Sequence, residues 1–418
     1  MTPEIEKRIK AIKAGRVPAG YKKTKVGIVP KDWSEVRFHD MFSRVTRKNK
    51  DGNTNVLTIS AQYGLINQND FFNKTIASDD KSNYFLMEKG EFAYNKSYSN
   101  GYPFGALKRL DYYDKGIVSP LYICFAANEN NKYPDFYVHY FEAGLMNKEI
   151  QAFAQEGARN HGLLNISVDD FFNSNLLSPP LEEQKKIAEI LSAQDKIIEL
   201  KEKLIAEKRC QKKYLMQTLL DEKIKRLPFK INGVVIDKSR WQKKCLGDVC
   251  DFLDNLRKPV KENNRKKGIY PYFGASGIID YVDDYLFDGT YILLGEDGAN
   301  IIFRSTPLAF KVSGKIWVNN HAHILLPKDG NSVDFYVNYL ESLNYEKYNT
   351  GTAQPKLNQD VIEKIVVNHP PLPEQQAIAE VLSSADEEIT LLQRDLEQEK
   401  LKKKSLMQLL LTGLVRVK

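Results

Sequence analysis

Cysteine is scarce. The chain of 418 residues holds four, Cys124, Cys210, Cys245 and Cys250. That is too few for a disulfide framework, and no neighbouring Cys or His completes a zinc set. Long apolar runs are missing as well. No stretch approaches the roughly 20 residues needed to cross a bilayer. The first 31 residues are charged and lack the apolar core of a signal peptide. A cytoplasmic location away from membranes is the expectation. Catalytic signatures are equally thin. Ser313-Gly314-Lys315-Ile316 has Ala309 where a phosphate-binding loop needs its first glycine, and Ile316 where it needs a hydroxyl. Phe273-Gly274-Ala275-Ser276-Gly277 has its glycines misplaced for a methyltransferase cofactor loop, and Ser178-Pro179-Pro180-Leu181 lacks the aromatic residue of such an enzyme's catalytic motif. The six histidines offer no His-x3-His metal pair, and His321-Ala322-His323 alternates as in a strand. These gaps predict a chain with no catalytic site, no metal site and no cofactor of its own.

What is present is ordinary in amount. Hydrophobic residues make up 42% and charged residues 28% of the chain, which excludes disorder as its main state. The length suggests two or three domains. Lys plus Arg number 61 against 54 Asp plus Glu, a net charge of +7 that permits a polyanionic partner without requiring one.

An internal repeat organises the rest. A shift of 191 positions sets Pro179-Pro180-Leu181-Glu182-Glu183-Gln184 against Pro370-Pro371-Leu372-Pro373-Glu374-Gln375, with about 20 of 42 aligned positions identical through Leu220 and Leu411. A weaker match opens each half, Trp33 and Phe38-His39-Asp40 against Trp241 and Leu246-Gly247-Asp248. Each duplicated segment starts at prolines and runs on without glycine, which predicts a long helix. Ile378, Leu382, Ala385, Ile389, Leu392 and Leu396 step by four and three, the seam of a coiled coil. Ile187, Leu191, Ile198 and Ile205 follow it in the first copy, beside a second track of Ile190, Ile197 and Leu204. The two helices are expected to pair with each other. Between them, short apolar runs such as Val56-Leu57-Thr58-Ile59 and Tyr291-Ile292-Leu293-Leu294 read as strands, with short helices near Phe136 and Phe335. The expected layout is a basic lead over 1–31, an α/β domain over 32–178, a helix over 179–227, a linker over 228–240, a second α/β domain over 241–369 and a second helix over 370–418.

This pattern resembles the DNA-specificity (S) subunit of type I restriction-modification systems. The resemblance rests on Pro-Pro-Leu-x-Glu-Gln-x-x-Ile-Ala at Pro179–Ala188 and again at Pro370–Ala379. It also rests on Tyr21–Gly27 leading to Pro30-Lys31-Asp32-Trp33, on Tyr272–Ile279, and on Gly351-Thr352-Ala353-Gln354 before Leu357-Asn358. The first domain departs from it at Gly157-Ala158-Arg159-Asn160-His161, which lacks the Thr-Ala-Gln of the second. The resemblance implies an α/β (α+β) fold of two target-recognition domains with two long helices pairing as an antiparallel coiled coil, related by a pseudo-two-fold repeat. It implies a non-catalytic subunit that reads a bipartite target in double-stranded DNA, one half per domain. The implied partners are two adenine methyltransferase subunits and, in a full complex, two restriction subunits; S-adenosylmethionine, ATP and Mg²⁺ would belong to those partners. A methylation-only system, or one with a fused nuclease-methyltransferase, is the alternative, and a coiled-coil scaffold is a more distant one.

Phosphate contact needs basic residues, and base reading needs paired donors and acceptors. Two clusters follow the Trp-led domain starts at similar intervals: Arg44, Arg47, Lys48 and Lys50, then Arg257, Lys258, Lys261, Arg265, Lys266 and Lys267. Further candidates are Lys96, Tyr98 and Asn100 in a polar aromatic loop, Lys108 and Arg109, Arg159 and Asn160, Arg304, and Gln354 with Lys356. The indoles of Trp33, Trp241 and Trp317 read as core.

Overall fold

The computed structural model of the chain describes residues 2–60, 64–71, 81–98, 101–156, 164–224 and 227–417. It divides into two compact units, Met1–Leu200 with Leu396–Lys418, and Lys201–Asp395.

Both units follow one plan. The opening strand Ser34–Arg37 pairs antiparallel with the closing strand Asn175–Ser178, and Gln242–Cys245 pairs likewise with Val366–His369. A short helix follows each opening strand, Phe38–Met41 and Leu246–Val249. Each is started by an aspartate that accepts the backbone N–H three residues earlier, Arg37 N to Asp40 Oδ2 at 2.8 Å and Cys245 N to Asp248 Oδ2 at 3.0 Å. The weak match at the domain openings is therefore a pair of helix caps. The main sheet comes next. Its order is Phe42–Val45, Ile123–Ala127, Phe92–Asn95, Ala106–Arg109 in the first unit. In the second it is Cys250–Phe252, Ala322–Pro327, Phe287–Gly295, Ala309–Val318, extended by a hairpin of Lys267–Gly274 and Gly277–Val282. The helices Pro134–Glu142 and Val333–Ser342 pack on Ala106–Arg109 and Ala309–Val318 respectively. Dissimilar middles thus carry the same topology.

The cores are filled differently. Phe38, Phe42, Phe92, Phe125 and Phe171 form one aromatic nest, with Phe92 stacked on Phe125 at 5.3 Å. The second core is mainly aliphatic around Ile292, Leu294, Leu325 and Leu340. Each of these side chains, being fully buried, contributes about 1.5–3 kcal/mol of transfer free energy.

The long helices are Leu181–Leu220, 40 residues, and Leu372–Leu410, 39 residues. Their halves run antiparallel within each unit. In the first, Gln194 donates to Glu399 Oε2 at 2.6 Å and Lys403 pairs with Asp195 at 2.5 Å. In the second, Lys212 pairs with Asp386 and Lys208 with Glu388, both at 2.6 Å, and Lys201 with Asp395. Lys403–Asp195 and Lys212–Asp386 are the same pair in two copies, both members related by the 191-residue offset. Leu191, Leu382, Ile205 and Leu396 are buried along the seam. The second track lies outside it: Ile190, Ile197 and Leu204 are 37%, 38% and 38% exposed.

Two segments expected to be a lead and a linker are folded. Residues Pro3–Lys13 form a helix, and Tyr21–Lys23 pairs with Ile28–Pro30. Val29 enters the core, Tyr21 Oη donates to Gly413 O at 2.8 Å, and Arg8 donates to Leu414 O at 3.0 Å. Phe229–Ile231 and Val234–Ile236 make a hairpin whose turn is Asn232-Gly233, both at positive φ. Ile236 is fully buried, and Lys238 Nζ donates to the carbonyls of Thr218, Asp221 and Ile224 at the end of the first long helix.

Candidate nucleic-acid interface

The repeated Pro-Pro-Leu-x-Glu-Gln segments are anchors. Trp33 Nε1 donates to Glu183 Oε2 and Trp241 Nε1 to Glu374 Oε2, each at 2.9 Å. The following glutamines turn back on the prolines: Gln184 Nε2 to Pro179 O and Gln375 Nε2 to Pro370 O, each at 2.8 Å. The glutamate and glutamine of both copies are buried. Each α/β domain is thereby pinned to the start of its helix by the same Trp–Glu hydrogen bond, and each helix entry is folded by the same Gln–Pro bond.

The basic residues divide by type, and most arginines belong to the scaffold. Arg257 is 14% exposed and bonds Glu296 at 2.7 Å, Ala322 O at 2.8 Å and Asp254 at 3.3 Å. Arg265 reaches Asp280 at 3.3 Å and Val260 O at 3.2 Å, with its guanidinium 4.7 Å over Tyr272. Arg47 Nη2 donates to both carboxylate oxygens of Glu91, at 2.8 and 2.9 Å. The planar fork suits such sites, whereas an ammonium on a flexible stem is readily left in water.

Lys108, Arg109 and Arg304 are explained by a further repeat in the sequence. Asp135-Phe136-Tyr137-Val138 and Asp334-Phe335-Tyr336-Val337 are identical at an offset of 199, and the match continues at Tyr140/Tyr339 and Glu142/Glu341. Self-comparison at that offset is the signal that finds it. Asp135 holds Arg109 at 2.5 Å and Asp334 holds Lys311 at 2.5 Å. Glu142 accepts from Lys108 and from Tyr102 Oη at 2.6 Å; Glu341 pairs with Arg304 at 2.7 Å and accepts from Leu308 N and Ala309 N at 2.9 Å. Burial works against ionising Glu142, but the Lys108 ammonium, the Tyr102 hydrogen bond and the charge of Lys403 together hold the carboxyl below its ordinary range. Lys108, Arg109 and Arg304 are therefore committed to internal pairs. Arg304 is also one of two non-glycine residues at positive φ among the described residues, 51°.

The lysines are different. Lys258, Lys261, Lys266 and Lys267 are exposed and form no ion pair among the described residues, and the same holds for Arg44 and Lys50. Lys48 is exposed, donates to Asn83 O at 2.8 Å and sits 4.4 Å over Phe85. Lys96 is half-buried and Tyr98 is 63% exposed. Gln354 is exposed, and Lys356 lies 3.2 Å from Glu296. Asn100, Arg159 and Asn160 lie outside the described residues.

One acidic cluster has the spacing of a metal site. Ligand atoms of Asp254, Glu296 and His323 lie within 4.8 Å of one another. Its donors are already engaged. His323 Nε2 donates to Leu357 O at 2.8 Å, its Nδ1 bonds Asp254, and Arg257 and Lys356 face the carboxylates. The cluster is an ion network that fastens the Gly351–Leu357 segment to the sheet, with Leu357 N donating to Glu296 O at 2.7 Å.

Two copies of one α/β plan, each pinned to a long helix by a Trp–Glu bond, define a duplicated domain-and-helix protein. The chain belongs to the family of type I restriction modification DNA specificity domains, whose model matches residues 30–207 and 238–401. It is 29% identical over 337 residues to the type I restriction enzyme MjaVIII specificity subunit of Methanocaldococcus jannaschii, covering 73% of this chain and 75% of that protein. It is 25% identical over 156 residues to the type I restriction enzyme EcoprrI specificity subunit of Escherichia coli, a match spanning 36% of this chain and 37% of that one. Its fold is like that of the S subunit of a type I restriction-modification system from M. genitalium, with a TM-score of 0.55 at 17% identity over 90% of this chain and 96% of that structure. Among the described residues, no helix is long and apolar enough to cross a membrane.

Proposed function

We propose that this chain is the non-catalytic sequence reader of a cytoplasmic DNA methyltransferase complex, with each α/β domain reading one half of a bipartite target in the major groove. The observation that carries this reading is the doubled plan: one topology, one Trp–Glu anchor and one helix pair occur twice around dissimilar surface loops. A pseudo-two-fold protein suits two half-sites on one duplex. The helices set the gap between the half-sites, since about 40 residues at roughly 1.5 Å each give about 60 Å of helix. Two adenine methyltransferase subunits dock on the helices. Ile190, Ile197, Leu200 and Leu401, 37%, 38%, 52% and 57% exposed, supply apolar surface for them. S-adenosylmethionine would be held by those subunits, and ATP and Mg²⁺ by two restriction subunits in a full complex.

Genome-wide methylation mapping tests the proposal, in cells expressing the neighbouring methyltransferase with and without this chain. A bipartite adenine motif with a fixed gap, lost when this chain is removed, is the expected result. A motif that persists without the chain would return a scaffold role to the front.

A further inference from the structure

The two units share their four-stranded sheet, so the elements that differ between them stand out. In the second unit the hairpin Lys267–Gly274 and Gly277–Val282 lies at the free side of Ala309–Val318, joined by the parallel pairs Tyr272–Trp317 and Phe273–Val318. The first unit has its own hairpin at the corresponding point, Leu57–Ser60 with Gly64–Asn67, joined to the strand Lys115–Val118 by the parallel bridge of Val56 with Ile117. The two hairpins occupy one place in the plan, and the second is the longer, with strands of eight and six residues against four and four, so a difference in recognition belongs there.

The hairpin ends in an edge strand that burial does not explain. Gly277–Val282 is the outermost strand of its sheet, and Ile278, Ile279 and Tyr281 on it are 49%, 52% and 51% exposed. Ile269 opposite is 79% exposed, within an irregular stretch of the register between Lys267 and Tyr270. An unpaired edge carrying large apolar side chains invites pairing with other chains unless a partner covers it. Charge identifies the partner. Lys258, Lys261, Lys266 and Lys267 lie exposed on the adjoining segment, free of ion pairs among the described residues, against the single acid Glu262. That segment is fastened to the hairpin: Val260 N donates to Tyr272 Oη at 2.9 Å, Trp317 Nε1 to Lys258 O at 2.7 Å, and Arg265 joins Val260 O to Asp280. A backbone hydrogen bond from Tyr281 and then the Arg265 guanidinium hold the Asp280 carboxyl below its ordinary range, so this tie stays charged at neutral pH. Lysines and edge strand form one surface.

We infer that the hairpin Lys267–Val282 is the major-groove reading element of the second domain, with Ile279 and Tyr281 against base edges and Lys258, Lys261, Lys266 and Lys267 against the flanking phosphates. The inference rests on the DNA-reading role proposed above. A two-stranded ribbon fits a groove about 12 Å wide. Ile279 is the unpaired residue of a bulge opposite Tyr272 and Phe273, where alternation of faces is interrupted, and it and Tyr281 are both about half exposed. Branched apolar side chains distinguish thymine by its C5-methyl group, which predicts at least one thymine in the half-site read by this domain. The four lysines account for sequence-independent affinity.

The test uses the full chain in complex with its methyltransferase subunit and a duplex bearing the mapped motif. Replacing the four lysines by glutamine is expected to weaken binding to every duplex and to lower the slope of log affinity against log salt by about 0.9 for each phosphate no longer neutralised. Ile279→Ser with Tyr281→Ser is expected to lose on the order of tenfold in preference for the second half-site and leave the first unchanged. Deoxyuridine in place of the contacted thymine should weaken binding by the wild-type chain and leave the double variant unaffected. An unaltered motif and salt slope in these variants, while the wild-type complex binds its target, would overturn the hairpin assignment alone. Hydrogen-exchange protection of 269–282 by the methyltransferase without DNA would overturn it in favour of a protein interface. A wild-type complex with no sequence preference would overturn the underlying reading and this inference together.

Discussion

Arg257 and Lys261 sit in one basic cluster of the sequence and have opposite fates. The guanidinium faces two carboxylates, Asp254 and Glu296, which are both about nine-tenths buried, while Lys261 projects into water. Removing one member of a buried ion network leaves charge without compensation, so Arg257→Gln should cost about 3 kcal/mol in urea unfolding. Lys261→Gln should stay within about 0.5 kcal/mol and register only in DNA affinity. Thiol chemistry separates the four cysteines by the same criterion. Burial pushes the thiols of Cys124 and Cys250 up to about 12, so neither is appreciably thiolate at neutral pH. Cys210 is exposed on a long helix. A maleimide followed by peptide mapping should label Cys210 first and reach Cys124 and Cys250 only after unfolding.

Among the elements, the helix Pro134–Glu142 carries a titration that its counterpart lacks. His139 is 5% exposed and bonds Ser192 Oγ at 3.0 Å, whereas the equivalent residue of Val333–Ser342 is Asn338. Burial lowers the His139 pKa below its ordinary 6.5; Asp195, 3.7 Å away, opposes this and Lys403 adds to it. The unfolded chain therefore takes up the proton more readily than the folded one. Stability from this group is complete above pH 6.5 or so and is lost as pH falls through the folded-state value. Thermal melts from pH 7.5 to 5 should show the first unit weakening, and His139→Asn should flatten that dependence. The long helices beside it mark the limit of what the sequence makes legible. Their extent and seam are readable because heptad spacing is a local signal, and the doubled plan because Trp33/Trp241 and the Pro-Pro-Leu segments survive as identities. The exposure of Ile190, Ile197 and Leu204 is not legible, because two apolar tracks on one helix do not say which one finds a partner. Nor is the division of the basic cluster, since Arg257 is claimed by Glu296 from 39 residues away and Arg265 by Asp280 across a hairpin. The hairpin at Phe229–Ile236 has a local signal, Asn232-Gly233, between residues that otherwise read as a linker.

For the whole molecule, the proposed function makes domain identity and helix length separate variables. Under that proposal base contacts fall to the α/β domains and the gap to the helices, so each should change without the other. Exchanging residues 33–176 for the corresponding segment of another family member should alter one half-site and keep the gap, provided the Trp33–Glu183 bond is retained at the junction. The strand pair Ser34–Arg37 with Asn175–Ser178 brings the two ends of the exchanged segment together, with Leu177 and Ser178 of the parent chain pairing against residues 35 and 34 of the insert. Helix length is tested by the converse change. Seven residues added to both helices preserve the seam, because the apolar spacing repeats every seven, and lengthen each by about 10.5 Å. The added segment belongs at one internal point in each helix, related by the 191-residue offset, so that Lys212–Asp386 and Lys403–Asp195 keep their partners. At about 3.4 Å per base pair, the gap in the methylated motif should grow by up to about 3 base pairs while both half-sites stay the same. Methylation mapping reads gap and half-sites in one experiment. An unchanged gap in a stable variant would assign the spacing to the methyltransferase subunits and leave the helices with docking alone.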